Sequence, residues 1–122
     1  MKSLVIEDND NNMELISYIL EQHGYETVKA VNGKEGCRLA LAEKPDFILL
    51  DIQLPDIMGT EVLKILRDKD ETKAIPVIAV TSYAMDGDRD RLLEAGCDGY
   101  IEKPIDPMTF IAQIEKVIGG AK

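Results

Sequence analysis

Five polar side chains lie within two residues of the ends of four short apolar runs of this chain. They are Glu7, Asp8, Asp51, Thr81 and Lys103. Three carboxylates and one ammonium sum to a charge of −2, and like charges at close range are unfavourable without compensation. A divalent cation would bring that sum to zero, and oxygen ligands with room for water suit Mg²⁺. If the fold brings these residues together, they predict a magnesium site at which a carboxylate can act as a nucleophile toward phosphorus.

Asp51 is the most unusual of the five because it closes an apolar segment. Residues 47–50, Phe-Ile-Leu-Leu, form an unbroken apolar run between Pro45-Asp46 and Pro55-Asp56. Such a run with turn residues at each end is typical of a strand that is covered on both faces. A carboxylate at the end of a buried strand must be paired or take part in chemistry, because an isolated buried charge is costly.

Short apolar runs recur along the chain and predict five strands. They cover residues 4–6, 27–31, 47–50, 77–80 and 100–101. The segments between these runs, and the segment after the last, have apolar residues at the spacing of amphipathic helices. The first helix is predicted to end at His23-Gly24, the second to begin at Asn32-Gly33 and the fourth to stop at Gly96.

The fifth helix has the clearest predicted boundaries. Asp106 is predicted as its N-cap and Pro107 as its first helical residue, because proline is well tolerated where no amide donor is needed. An apolar stripe follows, and Gly119 marks the predicted end. The stripe consists of Phe110, Ile111, Ile114, Val117 and Ile118.

The alternation of strands and helices predicts an α/β fold in which a parallel sheet has helices on both faces. Right-handed crossovers make a flavodoxin-like, doubly wound sheet of five strands in the order 2-1-3-4-5, with five helices, the natural closure. Ligands of such sheets bind beyond the carboxyl ends of the strands, at the switch point between strands 1 and 3. This topology would gather Glu7, Asp8 and Asp51 at one edge, with Thr81 and Lys103 on the other side.

Composition and charge narrow the class of protein. With 122 residues the chain is expected to form one domain, spanning residues 1–122. A formal charge of −9 argues against a nucleic-acid or anionic-membrane surface, since either would need a basic face. No apolar segment approaches bilayer length and the N-terminus turns acidic too early for a signal peptide, so a cytoplasmic location is expected. Cys37 and Cys97 match no metal-ligand spacing and are expected to be reduced.

Four segments of the chain resemble the receiver domains of two-component response regulators, of the CheY-like superfamily. They are VIEDNDNN (residues 5–12), ILLDIQLPDIMG (48–59), VIAVTSYAM (77–85) and YIEKPID (100–106). The resemblance covers nearly the whole chain, and the four motifs together are specific although any one alone would be weak. The segments GYET, LLDIQLP and AVTSYAMDGD particularly resemble the corresponding sequences of single-domain regulators of the DivK type.

The resemblance implies roles at the phosphorylation site. Asp51 would be the phosphorylated residue, and the side chains that hold the phosphoryl oxygens would be Thr81 and Lys103. The resemblance also implies that Mg²⁺ is bound there. Its ligands would be Asp8, Asp51 and the backbone carbonyl of Gln53, with Glu7 acting through a water.

The resemblance also implies a switch beside that site. Thr81 and the aromatic Tyr100 would form it, and the Lys103-Pro104 peptide bond would be cis. Three residues beside this site, Gln53, Ser82 and Tyr83, are expected to tune the lifetime of the phosphorylated state by admitting or excluding the hydrolytic water. Glu7 stands where an aspartate is commoner, which is a variation that the family uses.

The function implied is that of a phosphoacceptor signalling module in a phosphorelay. It would be loaded by a histidine kinase or a histidine phosphotransfer protein, and would catalyse only its own phosphorylation and dephosphorylation. The face formed by helix 4, strand 5 and helix 5 would change on phosphorylation and be recognised by a downstream protein that the sequence does not identify. A monomer, or a weak dimer through that face, is expected, with no nucleic-acid or membrane partner.

Three alternatives remain at the level of the sequence. The chain could be the receiver fragment of a larger hybrid kinase or regulator. It could be a magnesium-dependent phosphohydrolase with the same aspartyl-phosphate chemistry, although Gln53 occupies the place where haloacid dehalogenase-type enzymes have an acid/base aspartate. It could be a flavin or nucleotide carrier, although residues 7–12, Glu-Asp-Asn-Asp-Asn-Asn, would repel phosphate.

Overall fold

The computed structural model describes residues 1–82 and 88–119, of which residues 88–90 are described by their backbone alone. The five strands are β1 (Lys2–Ile6), β2 (Glu26–Ala30), β3 (Phe47–Asp51), β4 (Val77–Thr81) and β5 (Gly99–Glu102). The five helices are α1 (Asp10–Gln22), α2 (Gly33–Glu43), α3 (Gly59–Asp68), α4 (Asp88–Glu94) and α5 (Phe110–Gly119). In the part of the chain so described, no helix has the length and apolar character needed to cross a bilayer.

The strands form one parallel sheet in the order β2-β1-β3-β4-β5, which confirms the predicted topology. β3 and β4 are buried along their whole length, as expected for strands covered on both faces. One apolar core cluster lies between the sheet and α1 and α5. The other lies between the sheet and α2, α3 and α4.

The register of the strands aligns the ends that carry the candidate residues. Ile6, the last residue of β1, pairs with Leu50, so that Glu7 and Asp8 follow β1 beside Asp51. Asp51 pairs with Val80 on β4, one residue before Thr81. Because all the strands are parallel, these ends lie at the same edge of the sheet.

The predicted end of β2 and the predicted start of α5 are wrong. β2 ends at Ala30, and Val31, which was predicted to be its last residue, is 56% exposed. α5 begins at Phe110 and not at Pro107. The Asp106 carbonyl accepts from Thr109 N at 3.1 Å and from Phe110 N at 2.9 Å, and residues 107–109 form a turn ahead of the helix. Asp106 still acts as a cap for this turn, since its carboxylate accepts from Met108 N at 2.9 Å.

A guanidinium at the opposite edge of the sheet fastens the segments around β4 and β5. Arg67, in the last turn of α3, donates to Gly96 O at 2.7 and 2.9 Å and to Ile75 O at 2.8 Å. It also donates to the Asp98 carboxylate at 2.9 Å, and the same carboxylate oxygen accepts from Val77 N at 2.8 Å. Arg67 therefore connects α3 with the starts of β4 and β5, the strands that end at Thr81 and before Lys103.

The change Arg67→Met keeps most of the apolar stem and removes every one of these hydrogen bonds. We expect it to lower the free energy of unfolding by about 2–3 kcal/mol, because several acceptors lose their partner at once. Arg38→Met is the matched control, since Arg38 is exposed and its salt bridge is with Glu35, three residues earlier in α2, an exposed pair that contributes little to stability. Urea unfolding measures both variants. Equal losses would show that the Arg67 contacts do not fasten these segments.

Candidate functional site

Three carboxylates converge at the carboxyl edge of the sheet. Glu7 and Asp8 follow β1, Asp51 ends β3, and one carboxylate oxygen from each lies within 4.8 Å of the others. Glu7 is 1% exposed and Asp51 is 4% exposed, whereas Asp8 is open to solvent. Oxygen donors at this separation, partly buried and partly open to water, are suited to a hard divalent cation.

An ammonium approaches the cluster from the side of β5. Lys103 Nζ lies 3.0 Å from Glu7 Oε1 and 3.3 Å from Asp51 Oδ2. Lys103 N donates to Thr81 O at 2.8 Å, which holds the residue beside the end of β4. The peptide bond between Lys103 and Pro104 is cis. The two buried carboxylates therefore share one cation supplied by the protein.

The pKa values of the cluster follow from this crowding. Burial, together with the hydrogen bond and negative charge of Asp51, raises the pKa of Glu7 to about 7, although Lys103 acts in the opposite direction. Burial disfavours the ammonium of Lys103, but the hydrogen bond to Glu7 and the charges of Asp51 and Glu7 outweigh that effect and raise its pKa. The ammonium therefore stays charged at neutral pH, while Glu7 is held close to protonation.

Local hydrogen bonds orient the two buried carboxylates. Asp51 Oδ1 accepts from the backbone N of Gln53 at 3.0 Å, while Oδ2 faces Lys103. Glu7 Oε2 accepts from Asn9 N at 3.3 Å, just before α1 begins. Each carboxylate is thus fixed by the turn that follows its own strand. The Asp51 carboxylate is oriented by Gln53, whose carbonyl is a metal ligand by the family resemblance.

The two residues expected to form a switch lie on neighbouring strands beside the cluster. Thr81 is buried at the end of β4 and pairs in register with Glu102 on β5. Tyr100 is half-buried and packs against the core cluster below α2, α3 and α4. Its hydroxyl donates to Glu102 Oε1 at 2.7 Å. Sequence reasoning overlooked Glu102, although residues two apart on a strand share a face and the spacing could have indicated the contact.

Ser82, Tyr83 and a cavity lie next to the site in sequence or in space. Ser82 is exposed immediately after Thr81, and Tyr83 lies outside the residues that the structure describes. A cavity of about 290 Å³ opens beside the ends of β3 and β4, and both Gln53 and Thr81 line it. Apolar side chains form much of the rest of its wall, among them Ile52, Met58 and Leu92. The cavity leaves space for a group to approach the Asp51 end of the sheet.

The arrangement combines three chemical elements. A buried carboxylate can act as a nucleophile toward phosphorus, and the carboxylate cluster can hold a divalent cation. The adjacent ammonium and the Thr81 hydroxyl can neutralise or donate to anionic oxygens. The combination of nucleophile, cation site and donors suits transfer of a phosphoryl group, which depends mainly on alignment and charge neutralisation.

Several known proteins are similar to this chain in sequence or in structure. The Polar-differentiation response regulator DivK of Brucella anthropi is 48% identical over 118 residues, which cover 97% of this chain and 96% of the relative. A solved chemotaxis protein CheY4 of Vibrio cholerae has a TM-score of 0.90 at 26% identity and covers 95% of this chain and 97% of its own. A sensor histidine kinase receiver domain from Pseudomonas aeruginosa PAO1, solved with a magnesium ion coordinated in its active-site cleft, has a TM-score of 0.88 at 30% identity, with 97% of each chain covered.

The sequence itself matches a family over most of its length. Residues 3–115 match the response regulator receiver domain, whose members act in two-component signalling with histidine kinases or phosphotransfer partners and are not classical enzymes. A relative from Brucella ovis, 47% identical over 118 residues that cover 97% of this chain and 96% of the relative, is also named a Polar-differentiation response regulator DivK. With its five-stranded parallel sheet and its acidic cluster at the ends of β1 and β3, this chain belongs to the response regulator receiver domain family.

Proposed function

We propose that this chain accepts a phosphoryl group on Asp51 from a histidine kinase or a histidine phosphotransfer protein. The observation that carries the proposal is the position of Asp51, a 4% exposed carboxylate at the end of β3 with Lys103 Nζ 3.3 Å away and two further acids beside it. In this proposal, residues 1–122 form one receiver domain that is located in the cytoplasm. The family match and the single parallel sheet support that unit.

The proposed transfer forms one bond and breaks one. The Asp51 carboxylate bonds to phosphorus as the phosphorus–nitrogen bond of a donor phosphohistidine breaks, and the imidazole leaves with that electron pair. Lys103 neutralises one phosphoryl oxygen, and Thr81 donates its hydroxyl to another. Gln53, two residues after Asp51, cannot transfer protons. The chain therefore promotes only its own phosphorylation and dephosphorylation, without the acid/base residue that turnover of a phosphate ester needs.

Mg²⁺ is the cation that suits this site. Asp8, Asp51 and the backbone carbonyl of Gln53 are its proposed ligands, with Glu7 acting through a water. The carboxylate oxygens within 4.8 Å of one another support this set, as does the open position of Asp8, which leaves room for the waters that magnesium retains. When bound, magnesium supplies positive charge to the phosphoryl oxygens.

A phosphoryl group on Asp51 would reach Tyr100 through Thr81. The buried Thr81 hydroxyl would turn toward the new oxygens, which vacates space near β5. The Tyr100 ring would move inward and release its 2.7 Å hydrogen bond to Glu102. Burying part of the ring contributes on the order of 1–2 kcal/mol, a size typical of coupling between two sites. The α4–β5–α5 face would change as a result, and a downstream protein would recognise it.

Phosphorylation is tested with acetyl phosphate and magnesium. Wild type is expected to gain the mass of one phosphoryl group through an acid-stable, base-labile bond. Asp51→Asn should gain none, because an amide is not a nucleophile. Asp70→Asn, at an exposed acid that pairs with Lys73, is the matched control and should label as wild type does. Intact mass spectrometry provides the measurement, and equal labelling of Asp51→Asn would refute the assignment.

Magnesium binding is tested by thermal unfolding. A cation that binds only the folded state stabilises it by about 2.7 kcal/mol when its concentration is a hundredfold above Kd. Asp8→Ala should lose this gain. Asp10→Ala, two residues further on at the exposed start of α1, should keep it. A magnesium response that survives in Asp8→Ala would place the cation elsewhere.

Transmission is tested with beryllium fluoride, which mimics a phosphoryl group. Amide NMR spectra of wild type should change around Tyr100 and along α5 when the mimic binds. Thr81→Ala should still accept the mimic at Asp51 but lose the change at Tyr100, because the hydroxyl that moves is absent. Ser82→Ala removes the neighbouring exposed hydroxyl and should respond as wild type does. A full response in Thr81→Ala would mean that the signal takes another route.

A further inference from the structure

The segment between β3 and α3, residues 52–58, contains Gln53 and is closed at its base by two hydrogen bonds. Gln53 N donates to Asp51 Oδ1 at 3.0 Å, and Gly59 N donates to Ile52 O at 2.9 Å. The closure needs a glycine, because a Cβ at Gly59 would lie 2.6 Å from the Ile52 Cα. Gln53 therefore lies at a tightly folded base of the segment, beside the site.

The far end is attached to the N-terminus of α2 by a carboxylate. Asp56 Oδ1 accepts from Gly33 N at 2.8 Å, and Asp56 Oδ2 accepts from Lys34 N at 2.9 Å. The first amides of a helix have no partner within the helix, and the N-terminus favours negative charge. Asp56 is exposed, and although some loss of hydration opposes ionisation, the backbone hydrogen bonds from Lys34 and Gly33 help to outweigh it and lower the pKa of Asp56. Both carboxylate oxygens are thus used to join two elements that are distant in sequence.

A close apolar contact accompanies these hydrogen bonds. A Cβ on Gly33 would lie 2.5 Å from Ile57 Cγ1, so the absence of a side chain at Gly33 makes room for Ile57. Ile57 is half-buried and packs against the core cluster below α2, α3 and α4. Two adjacent residues of the segment, Asp56 and Ile57, therefore rest on the same first turn of α2.

α2 has a second cap that does not involve this segment. The Asn32 side chain accepts from Glu35 N at 2.8 Å. Loss of either Asn32 or Asp56 removes an acceptor from the same helix end, but only Asp56 also joins that end to the segment that contains Gln53. The two residues form a natural pair for separating helix capping from attachment of the segment.

We propose that Asp56 is a positioning residue for the phosphorylation site. By holding the end of the segment on α2, it fixes the Gln53 peptide. The N–H of that peptide orients the Asp51 carboxylate, and its carbonyl is a proposed ligand of magnesium. This inference rests on the proposed function, since the site that Asp56 supports is the one assigned above. Residues that orient a metal ligand commonly change metal affinity by tenfold or more when they are replaced.

The test compares Asp56→Ala with Asn32→Ala in the full chain. Urea unfolding without metal should show a similar shift of the midpoint to lower urea concentration in both, because each loses a cap of α2. Isothermal titration with magnesium should show a Kd about tenfold weaker in Asp56→Ala and unchanged in Asn32→Ala. Hydrogen exchange in metal-free buffer should be faster at the Gln53 and Gly59 amides in Asp56→Ala alone.

Asp56→Asn separates attachment from charge. It removes the negative charge but keeps one acceptor oxygen, so its magnesium affinity should lie between those of wild type and Asp56→Ala. Equal weakening in Asp56→Asn and Asp56→Ala that disappears at about 1 M salt, where the screening length is about 3 Å, would assign the effect to charge and overturn the inference. Unchanged affinity in Asp56→Ala would overturn it as well. A wild type that binds no magnesium would overturn the proposed function, and this inference with it.

Discussion

The crowding of three carboxylates around one ammonium is the constraint on which the rest of the site depends. Glu7 and Asp51 are almost completely buried, and the single cation that contacts both is Lys103, at 3.0 and 3.3 Å, in the part of the chain that the structure describes. Such a group is unfavourable as it stands and becomes favourable when a divalent cation or a proton is added. The same imbalance accounts for the raised pKa of Glu7 and for the suitability of the site for magnesium. A binding site of this kind is built by placing charge where the folded protein alone does not fully compensate it.

The fold tolerates this unfavourable arrangement because the interactions that stabilise the sheet lie mostly elsewhere. β3 and β4 are buried throughout, and the two apolar cores lie on opposite faces of the sheet along the strands. At the opposite edge Arg67 joins α3 to the starts of β4 and β5. Unfavourable electrostatics at one edge are therefore tolerated, and the turns after the strands can serve binding.

Much of this could be predicted from the sequence because its signals are local. The apolar run that Asp51 closes identifies a buried strand, and the alternation of strands and helices leads to the strand order that brings Glu7 and Asp8 beside it. The start of α5 could not be predicted in this way, because it depends on how the chain turns after Asp106 and not on residue types. The contact of Asp56 with α2 was missed for a related reason. Asp56 lies 23 residues after Gly33, to which it is hydrogen-bonded, and no periodicity relates the two positions.

The pH dependence of unfolding in the absence of metal tests the central claim of electrostatic crowding most directly. Glu7 has a pKa of about 7 in the folded state and 4.5 as its ordinary value, so between these values the unfolded chain loses the proton that the folded chain retains. Stability therefore falls as pH rises through this window, by on the order of 2 kcal/mol from this group, and the fall ends above pH 7. Glu7→Gln has no such proton, so the stability of wild type relative to this variant should decrease from pH 5 to pH 8. Parallel stability curves for the two proteins would contradict the account, because they would mean that Glu7 ionises in the folded state as freely as in water.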